Sequence, residues 1–500
     1  MTKERNIKKI LVANRGEIAS RIIRTCSRLG IETLAIFHSI DANSPFVSEA
    51  DLALEIHGET PTAAYLDIEQ IVALASMNDV HAIHPGYGFL AENRSFAEAT
   101  QRAAMVFIGP SPAAIGLLGD KVASREFVAH HGFPLAPSIP KMEKGVDDRD
   151  AMLAAATKIG FPVLIKAAAG GGGKGMHIVY EAEQFKAAFE LASSEAMRYF
   201  GDSRVYCEKY LVKPRHIEVQ ILADEHGHCI HLGERECSVQ RRFQKVIEET
   251  PAPNLSRETR QKICETAVSI AARANYTNAG TVEFIMDEQE NFYFLEMNTR
   301  LQVEHPVTEM TTGIDLVEAQ INIAAGLPLP FAQNDIAHTG HAIELRICAE
   351  DADDNFMPAT GTIAYLQEPK LPGVRLDSSL HQGSEITAAF DPMLAKLVAH
   401  GQTREQAREK LLLALNEQII LGVTTNSAFL GRILRHQSFI EGDIHTHFIS
   451  DHRGSLARAT IDDDTLTAVL VAAALNDSNF KGLLNNVPEP YSTMGGWRNR

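Results

Sequence analysis

The 500-residue chain is poor in what several function classes require. Its formal charge is -17, whereas nucleic acid or an acidic membrane as a main partner calls for a basic face. That balance still leaves room for a local basic pocket around nucleotide phosphates. Six cysteines (Cys26, Cys207, Cys229, Cys237, Cys264, Cys348) are scattered without a CxxC pair, as fits reduced thiols in a cytosol-like compartment. The longest apolar run, around Leu466 to Leu475, is far short of the ~20 residues that span a bilayer. MTKERNIKK at the N-terminus lacks the apolar core of a signal peptide, so the expectation is a cytoplasmic protein with no membrane partner. The turn ANRGEIA lacks GxGxxG, and the later glycine run lacks GxxxxGK[ST]. Neither a dinucleotide fingerprint nor a Walker-type site is present. HGHCIH (His226, His228, Cys229, His231) could suggest zinc, but Gly227 and strand-like flanks favour a turn between strands.

What is present reads as several domains, because the length exceeds what one core holds. Residues 7 to 37 run strand, helix, strand, with Gly30 as the helix stop, a βαβ unit on a parallel sheet. The α/β pattern continues through IEQIVALASM, VHAIHP and MVFIGPS, and HPGYGFLAEN (His84 to Asn93) is a loop leaving a strand. Such a loop is either a ligand site or a structural turn. After Gly119-Asp120-Lys121 come a helix-like segment and a proline-rich linker. FPVLIK then ends in Lys166, before Gly170 to Gly173, Lys174, Gly175 and the strand HIVY. A glycine run between strands lets backbone N–H groups approach phosphate, or is simply a flexible hairpin tip. Strands dense in polar residues follow (Glu208, Lys209, His216, Glu218, Gln240, Arg241, Arg242, Lys245, Glu248), then an amphipathic helix over residues 256 to 275. Past residue 338 a mostly β unit carries Arg346 among apolar neighbours, where a buried arginine needs an anion. The tail from 455 holds a helix with an acidic start and then irregular sequence.

The stretch Gly280 to His305, GTVEFIMDEQENFYFLEMNTRLQVEH, carries the densest chemistry. Glu296, Asn298, Arg300, Gln302 and Glu304 share one parity, while Leu295, Met297, Leu301 and Val303 share the other. A continuous strand would put these sets on opposite faces. A hairpin through Asp287 to Asn291 would set Glu283 opposite Glu296. Two carboxylates and an amide facing one space favour a hard cation, and an arginine and a glutamate follow for an anion and its proton. A half-buried strand with a solvated polar face is the alternative.

Across about residues 5 to 450 the chain closely resembles the biotin carboxylase family of ATP-grasp enzymes. The matching strings are ILVANRGEIA, AIHPGYGFLAEN, GDK, the glycine loop, EKYL, PRHIE, ERECSVQRR, QKVIEE, EMNTRLQVEHPVTEM and RICAED. The resemblance implies an α/β and α+β multidomain fold. A parallel α/β pre-ATP-grasp domain would occupy 1–118, and an ATP-grasp domain 119–330 with a glycine-loop lid at about 138–207. A mostly β C-terminal domain would occupy 338–448, and 449–500 would be a linker or the start of a further domain. The implied reaction is carboxylation of biotin by ATP and bicarbonate through carboxyphosphate, the first half-reaction of an acyl-CoA carboxylase. By motif, Lys121, Lys166, Gly172, Gly173, Glu208, Lys209, Leu211, His216 and Gln240 would hold ATP. Glu283, Glu296 and Asn298 would ligate magnesium or manganese. Arg300, Gln302, Val303 and Lys245 would surround bicarbonate, Glu304 would be the base and Arg346 would stabilise the biotin oxyanion. Tyr87 and Asp391 fall on the biotin side.

Two departures stand out: Phe243 where the family usually has histidine, and Lys174 for a common arginine. The first removes a hydrogen-bond partner near the nucleotide, and the second loses bidentate geometry. No Met-Lys dipeptide occurs, so the biotin carrier is expected on another chain or beyond Arg500. A carboxyltransferase subunit and a homodimer or larger hetero-oligomer are the implied partners. The rival reading is a catalytically weak subunit kept for assembly.

Overall fold

Strands apolar on both faces belong between two helix layers, and the chain opens with them. Strand β1 (Lys9–Val12), helix α1 (Gly16–Arg28) and strand β2 (Glu32–Phe37) form the expected βαβ unit. With β3 (Leu52–Glu55), β4 (Ala82–His84) and β5 (Val106–Phe107) they make a parallel sheet of order β3-β2-β1-β4-β5. The order reverses between β1 and β4, the point where open α/β sheets receive ligands. There Asn14 Nδ2 donates to the carbonyls of Pro85 and Tyr87, at 2.8 and 2.7 Å. Gly86 has φ +63, and a Cβ on it would meet that amide nitrogen at 2.8 Å, so this turn needs glycine.

The computed structural model describes residues 4–139, 149–167, 176–200, 203, 205–242, 244–459 and 462–476. Gly172, Gly173, Lys174 and Phe243 therefore lie outside the described residues. The chain divides into two units, Met1–Leu456 and Ala457–Arg500. In the second, a helix spans Asp463–Asn476, and the preceding Asp462 accepts from the Thr465 backbone N–H at 2.8 Å.

In the first unit, β6 (Ser138–Ile139), β7 (Val163–Ala167), β8 (Met176–Val179) and β9 (Val205–Lys209) form a small antiparallel sheet of order β6-β9-β7-β8. Met152, Val163, Ile165, Phe185 and Val205 give it a core of its own.

The largest sheet has eight strands: β10 (Arg215–Ala223), β11 (Cys229–Arg241), β12 (Gln244–Thr250), β13 (Asn278–Met286), β14 (Phe292–Asn298), β15 (His341–Cys348), β16 (Val374–Ser378) and β17 (Met393–Gly401). Their order is β14-β13-β10-β11-β12-β15-β17-β16, all antiparallel. The C-terminal strands thus extend the central sheet, with Ile247 opposite Leu345 and Glu248 opposite Glu344.

Period-two alternation gives this sheet one apolar and one charged face. Ile217, Val219, Val282 and Phe284 pack beneath helix α2 (Arg257–Arg273), and Ile343, Leu345 and Leu397 join Leu411 and Ile433. Glu218, Arg235, Glu283, Glu344, Lys396 and Asp377 are the buried polar counterparts. A bulge re-aims β12: Val239 pairs with Ile247 while Gln240 pairs with Lys245, so Val246 is the extra residue. Lys245 and Glu248 thereby reach the same charged face despite their odd spacing.

β14 does not run on to Glu304. The strand ends at Asn298, residues 299 to 304 turn, and Glu304 is the N-cap of helix α3 (His305–Thr312), with a proline in its first turn. Proline at such a position fixes φ for helix entry and forfeits only an N–H that would lack a partner. A second bulge, where Glu283 pairs with Glu296 but Phe284 pairs with Phe294, leaves Leu295 as the extra residue. The single-strand alternation expected from Glu296 to Glu304 is therefore replaced by strand, bulge, turn and cap.

Candidate active site

Glu296, Asn298, Arg300, Gln302 and Glu304 still converge, because the turn delivers what a straight strand would have spread. All five line one cleft of about 960 Å³. Lys121, Lys166, Glu208, Lys209, Leu211, His216, Gln240, Lys245, Glu283, Val303, Arg346 and Asp391 line the same space. Tyr87 does not line it. Its ring lies 5.7 Å from Lys396 Nζ, and it packs against the core beside the first sheet.

The centre of the cleft is one ammonium among three acids. Lys245 Nζ lies 2.6 Å from Glu218 Oε2, 2.9 Å from Glu283 Oε1 and 2.6 Å from Glu304 Oε1. Arg346 bridges from Glu304 Oε2, at 2.9 Å, to Glu248 Oε1, which accepts from its Nε at 2.6 Å. Arg235, with no solvent exposure, donates to Glu218, to Gln220 Oε1 at 2.8 Å and to Gln302 Oε1 at 2.8 Å. Burial alone would raise the Glu304 carboxyl, but Lys245, Arg346 and Arg235 outweigh it and hold that carboxyl well below the usual range. Glu283 is likewise held low, with Lys245 and His216 overcoming desolvation. Lys245 itself is pushed well up, because the three carboxylates exceed the cost of burying its charge.

Glu283 and Glu296 are cross-strand partners. Asn298 Nδ2 donates to Glu283 Oε1 at 2.7 Å, and Lys121 Nζ stands 2.9 Å from Glu296 Oε2. Two carboxylates and an amide oxygen form a hard oxygen donor set, and lysines neutralise both acids. Such a set fits magnesium or manganese. Among the described residues, two further acid clusters meet metal spacing, His216 with Glu218 and Glu283, and Glu218 with Cys237 and Glu304. Both share Glu218 beside the Lys245 ammonium, and the first also contains Glu283.

The small sheet forms the opposite wall. Lys166 pairs with Glu208, and Lys209 Nζ donates to the carbonyls of Gly160 (2.9 Å) and Phe161 (3.1 Å). Gln240 Nε2 lies 2.8 Å from His216 Nδ1, and His216 Nε2 faces Glu283 Oε2 at 2.9 Å. Arg300 donates from Nε to Glu92 Oε2 at 2.8 Å and from its NH2 to Asn298 Oδ1 at 3.1 Å. Gln302 Nε2 donates to Glu283 Oε1 at 2.8 Å, and the Val303 carbonyl accepts from Lys396 Nζ at 3.0 Å. Asp391, also in the lining, accepts at Oδ1 from the Met393 N–H at 2.9 Å.

Sequence reasoning missed Arg235, Glu92 and Lys396 and gave no task to Glu218 or Glu248. Lys396 carried the same signal as Arg346, a cation among apolar neighbours, whereas Arg235 stands between Glu234 and Glu236 and gave no such signal. The HGHCIH segment is a turn: Asp224 accepts from the N–H groups of His226 and His228, at 2.8 and 3.0 Å. The six cysteines are free, and no helix among the described residues is long and apolar enough to cross a membrane.

Residues 6–115 match the family described as biotin carboxylase, N-terminal domain, and residues 344–451 its C-terminal domain. Residues 120–332 match the carbamoyl-phosphate synthase L chain, ATP binding domain. Biotin carboxylase 2 of Bacillus subtilis (strain 168) is 49% identical over 444 residues, covering 89% of this chain and 99% of the relative. The methylcrotonoyl-CoA carboxylase subunit alpha of Dictyostelium discoideum is 45% identical over 500 residues, 99% of this chain and 71% of that one. The biotin carboxylase domain dimer of Hydrogenobacter thermophilus 2-oxoglutarate carboxylase, solved with MgADP, ADP and bicarbonate, superposes with a TM-score of 0.83. It is 43% identical and covers 92% of this chain and 100% of its own.

Proposed function

This chain belongs to the biotin carboxylase family, and we propose that its cleft makes carboxybiotin from biotin, bicarbonate and ATP, releasing ADP and phosphate. The observation that carries the reading is the Lys245 ammonium shared by Glu218, Glu283 and Glu304, with Arg346 closing the set. That arrangement keeps a base ionised beside two cations that can receive anions.

Lys121, Lys166, Glu208, Lys209, Leu211, His216 and Gln240, with Gly172 and Gly173, hold the nucleotide. Lys121 and Lys166 leave their carboxylates for the phosphates. Glu283, Glu296 and Asn298 would hold magnesium or manganese, which when bound neutralises charge on the triphosphate. Arg300, Gln302, Val303 and Lys245 seat bicarbonate. Glu304 removes the bicarbonate proton, and the freed oxygen attacks the γ-phosphorus as the bond to ADP breaks. Glu304 is a weak base while Lys245 and Arg346 both face it. As those cations turn to substrate anions, its proton affinity rises toward what the step needs.

The product, carboxyphosphate, breaks its C–O bond to give carbon dioxide and phosphate. The phosphate takes the ureido N–H proton, and that nitrogen bonds to the carbon. Arg346 holds the charge on the ureido oxygen, with Asp391 on the biotin side of the cleft and Tyr87 outside the lining, behind Lys396. Since the relatives include carboxylase subunits, we place the chain in a larger carboxylase. A biotin carrier domain and a carboxyltransferase subunit are its partners, and the chain is a homodimer when alone. The test is bicarbonate-dependent ATP hydrolysis with and without free biotin. Stimulation by biotin is expected. Bound ATP with no stimulation would favour an assembly subunit instead.

A further inference from the structure

Glu344 has no task in the reaction above, yet it is fully buried in the charged face of the sheet. It is the register partner of Glu248 across β12 and β15, and it stands two residues from Arg346 on the same strand face. Both glutamates have no solvent exposure. Among the described residues, neither carboxylate oxygen of Glu344 has a hydrogen-bond partner, nor does Glu248 Oε2. Directly opposed residues in an antiparallel pair have Cβ atoms about 5 Å apart. Two buried carboxylates at that range cannot both stay ionised without a large penalty.

We propose that Glu248 and Glu344 share one proton behind Arg346, forming a positioning pair that keeps the guanidinium from being over-neutralised. The inference rests on the biotin carboxylase reading for its consequence, though not for the shared proton itself.

The surroundings set the balance. From β15 and β12 the pair is faced by Arg346 and Lys245, from β17 by Lys396 and from the turn before α3 by Glu304. Cys237 on β11 lies within the field of Glu248, and its thiol is pushed well up, chiefly by burial. His305 on α3 is buried beside Lys396 and held well down by burial, then by Lys396, Arg21 and Arg375, so it stays neutral. Lys396 is itself engaged by Glu17 at 3.1 Å and by Asp377 at 3.8 Å. Arg346 already answers two carboxylates, Glu248 and Glu304. A third full charge beside it would cancel the field it turns toward an anionic reactant, and a shared proton removes that charge. Desolvation pushes the Glu248 carboxyl up to about 7, against the pull of Arg346, and pushes Glu344 well above its ordinary range.

The expected consequence is an alkaline limb specific to the biotin step. As the pair loses its proton, KM for free biotin rises several-fold, while KM for ATP stays level. In Glu344→Gln that limb disappears and ATP binding is retained.

Infrared difference spectra of the unliganded wild-type protein, taken between about pH 6 and about pH 9, test the proton directly. A protonated-carboxyl stretch that shifts with carbon-13 glutamate and fades with rising pH is expected; it should be missing in Glu344→Gln, and in Glu248→Gln it should lose its pH dependence over that range. A wild-type spectrum without that band overturns the pair, and it does so even if a variant fails to fold. A band present but an unchanged biotin KM limb in Glu344→Gln overturns the role beside Arg346. Absence of any biotin stimulation in wild type would instead overturn the reading of the cleft.

Discussion

At the scale of single residues, the proposed reaction assigns proton transfer to one group of the cleft and charge-holding to the rest. Glu304 touches Lys245 and Arg346, and it remains ionised throughout the neutral range because those cations and Arg235 outweigh its burial. Glu304→Gln keeps the shape but removes the proposed base. Turnover is expected to fall by about 10² to 10⁴, with the ATP dissociation constant near normal by calorimetry; an equal loss of ATP affinity would contradict the role. Arg235 is different in kind, since it is buried among Glu218, Gln220, Thr281, Gln302 and Thr308. Arg235→Ala leaves buried Glu218 with Lys245 as its remaining cation and takes the shared donor from Gln220, Thr281, Gln302 and Thr308, at a cost of about 3 to 5 kcal/mol in unfolding free energy. Denaturant titration checks this, and a loss below about 1 kcal/mol would show the pair to be dispensable. Most residues that line the cleft were legible from motif, whereas the single-strand parity expected for them gave way to a bulge, a turn and a helix cap. The charges behind them were not, because a lone buried arginine or lysine in a strand shows its need for an anion without showing which strand supplies it.

At the scale of elements, helices and hairpins were readable, whereas bulges were not. The βαβ start, the Asp287 turn and the helix over 257 to 273 follow from spacing and turn residues. The extra residues Val246 and Leu295 carry no sequence mark, and each changes which face the following side chains meet. The end of β14 at Asn298 was equally hidden, because Thr299 to Glu304 keep a strand-like alternation while the following proline commits the chain to a helix. The β13–β14 ribbon makes one further prediction. Glu296→Gln removes one of the two opposed carboxylates, so the magnesium concentration for half-activation should rise at least tenfold, or ~1.4 kcal/mol. Titrating magnesium at saturating ATP reads this directly, and an unchanged midpoint would remove Glu296 from the donor set.

At the scale of the whole molecule, one sheet of the first unit runs from the hairpin of β13 and β14 to β16, so the charged face crosses the boundary that the sequence places between the ATP-grasp and C-terminal domains. That continuity was not visible in the chain, since the pairing of Glu248 with Glu344 joins residues almost a hundred positions apart. It also sets the acid limit of stability. Glu283, Glu304 and Asp377 are held low, and Glu249 is held at about 2 because Arg404 and His341 outweigh its desolvation. Depressed carboxyls contribute stability that is complete above the ordinary range near ~4 and is lost as pH falls through it toward their native values. The melting temperature should drop steeply on the acid side of that range, and Glu249→Gln should flatten the slope; parallel slopes would contradict the linkage. The measurement that tests the central claim most directly follows heavy oxygen from labelled bicarbonate during turnover. If Glu304 and Lys245 bring bicarbonate against the γ-phosphoryl group, the phosphate released carries the label, whereas phosphate labelled only from water would contradict the account.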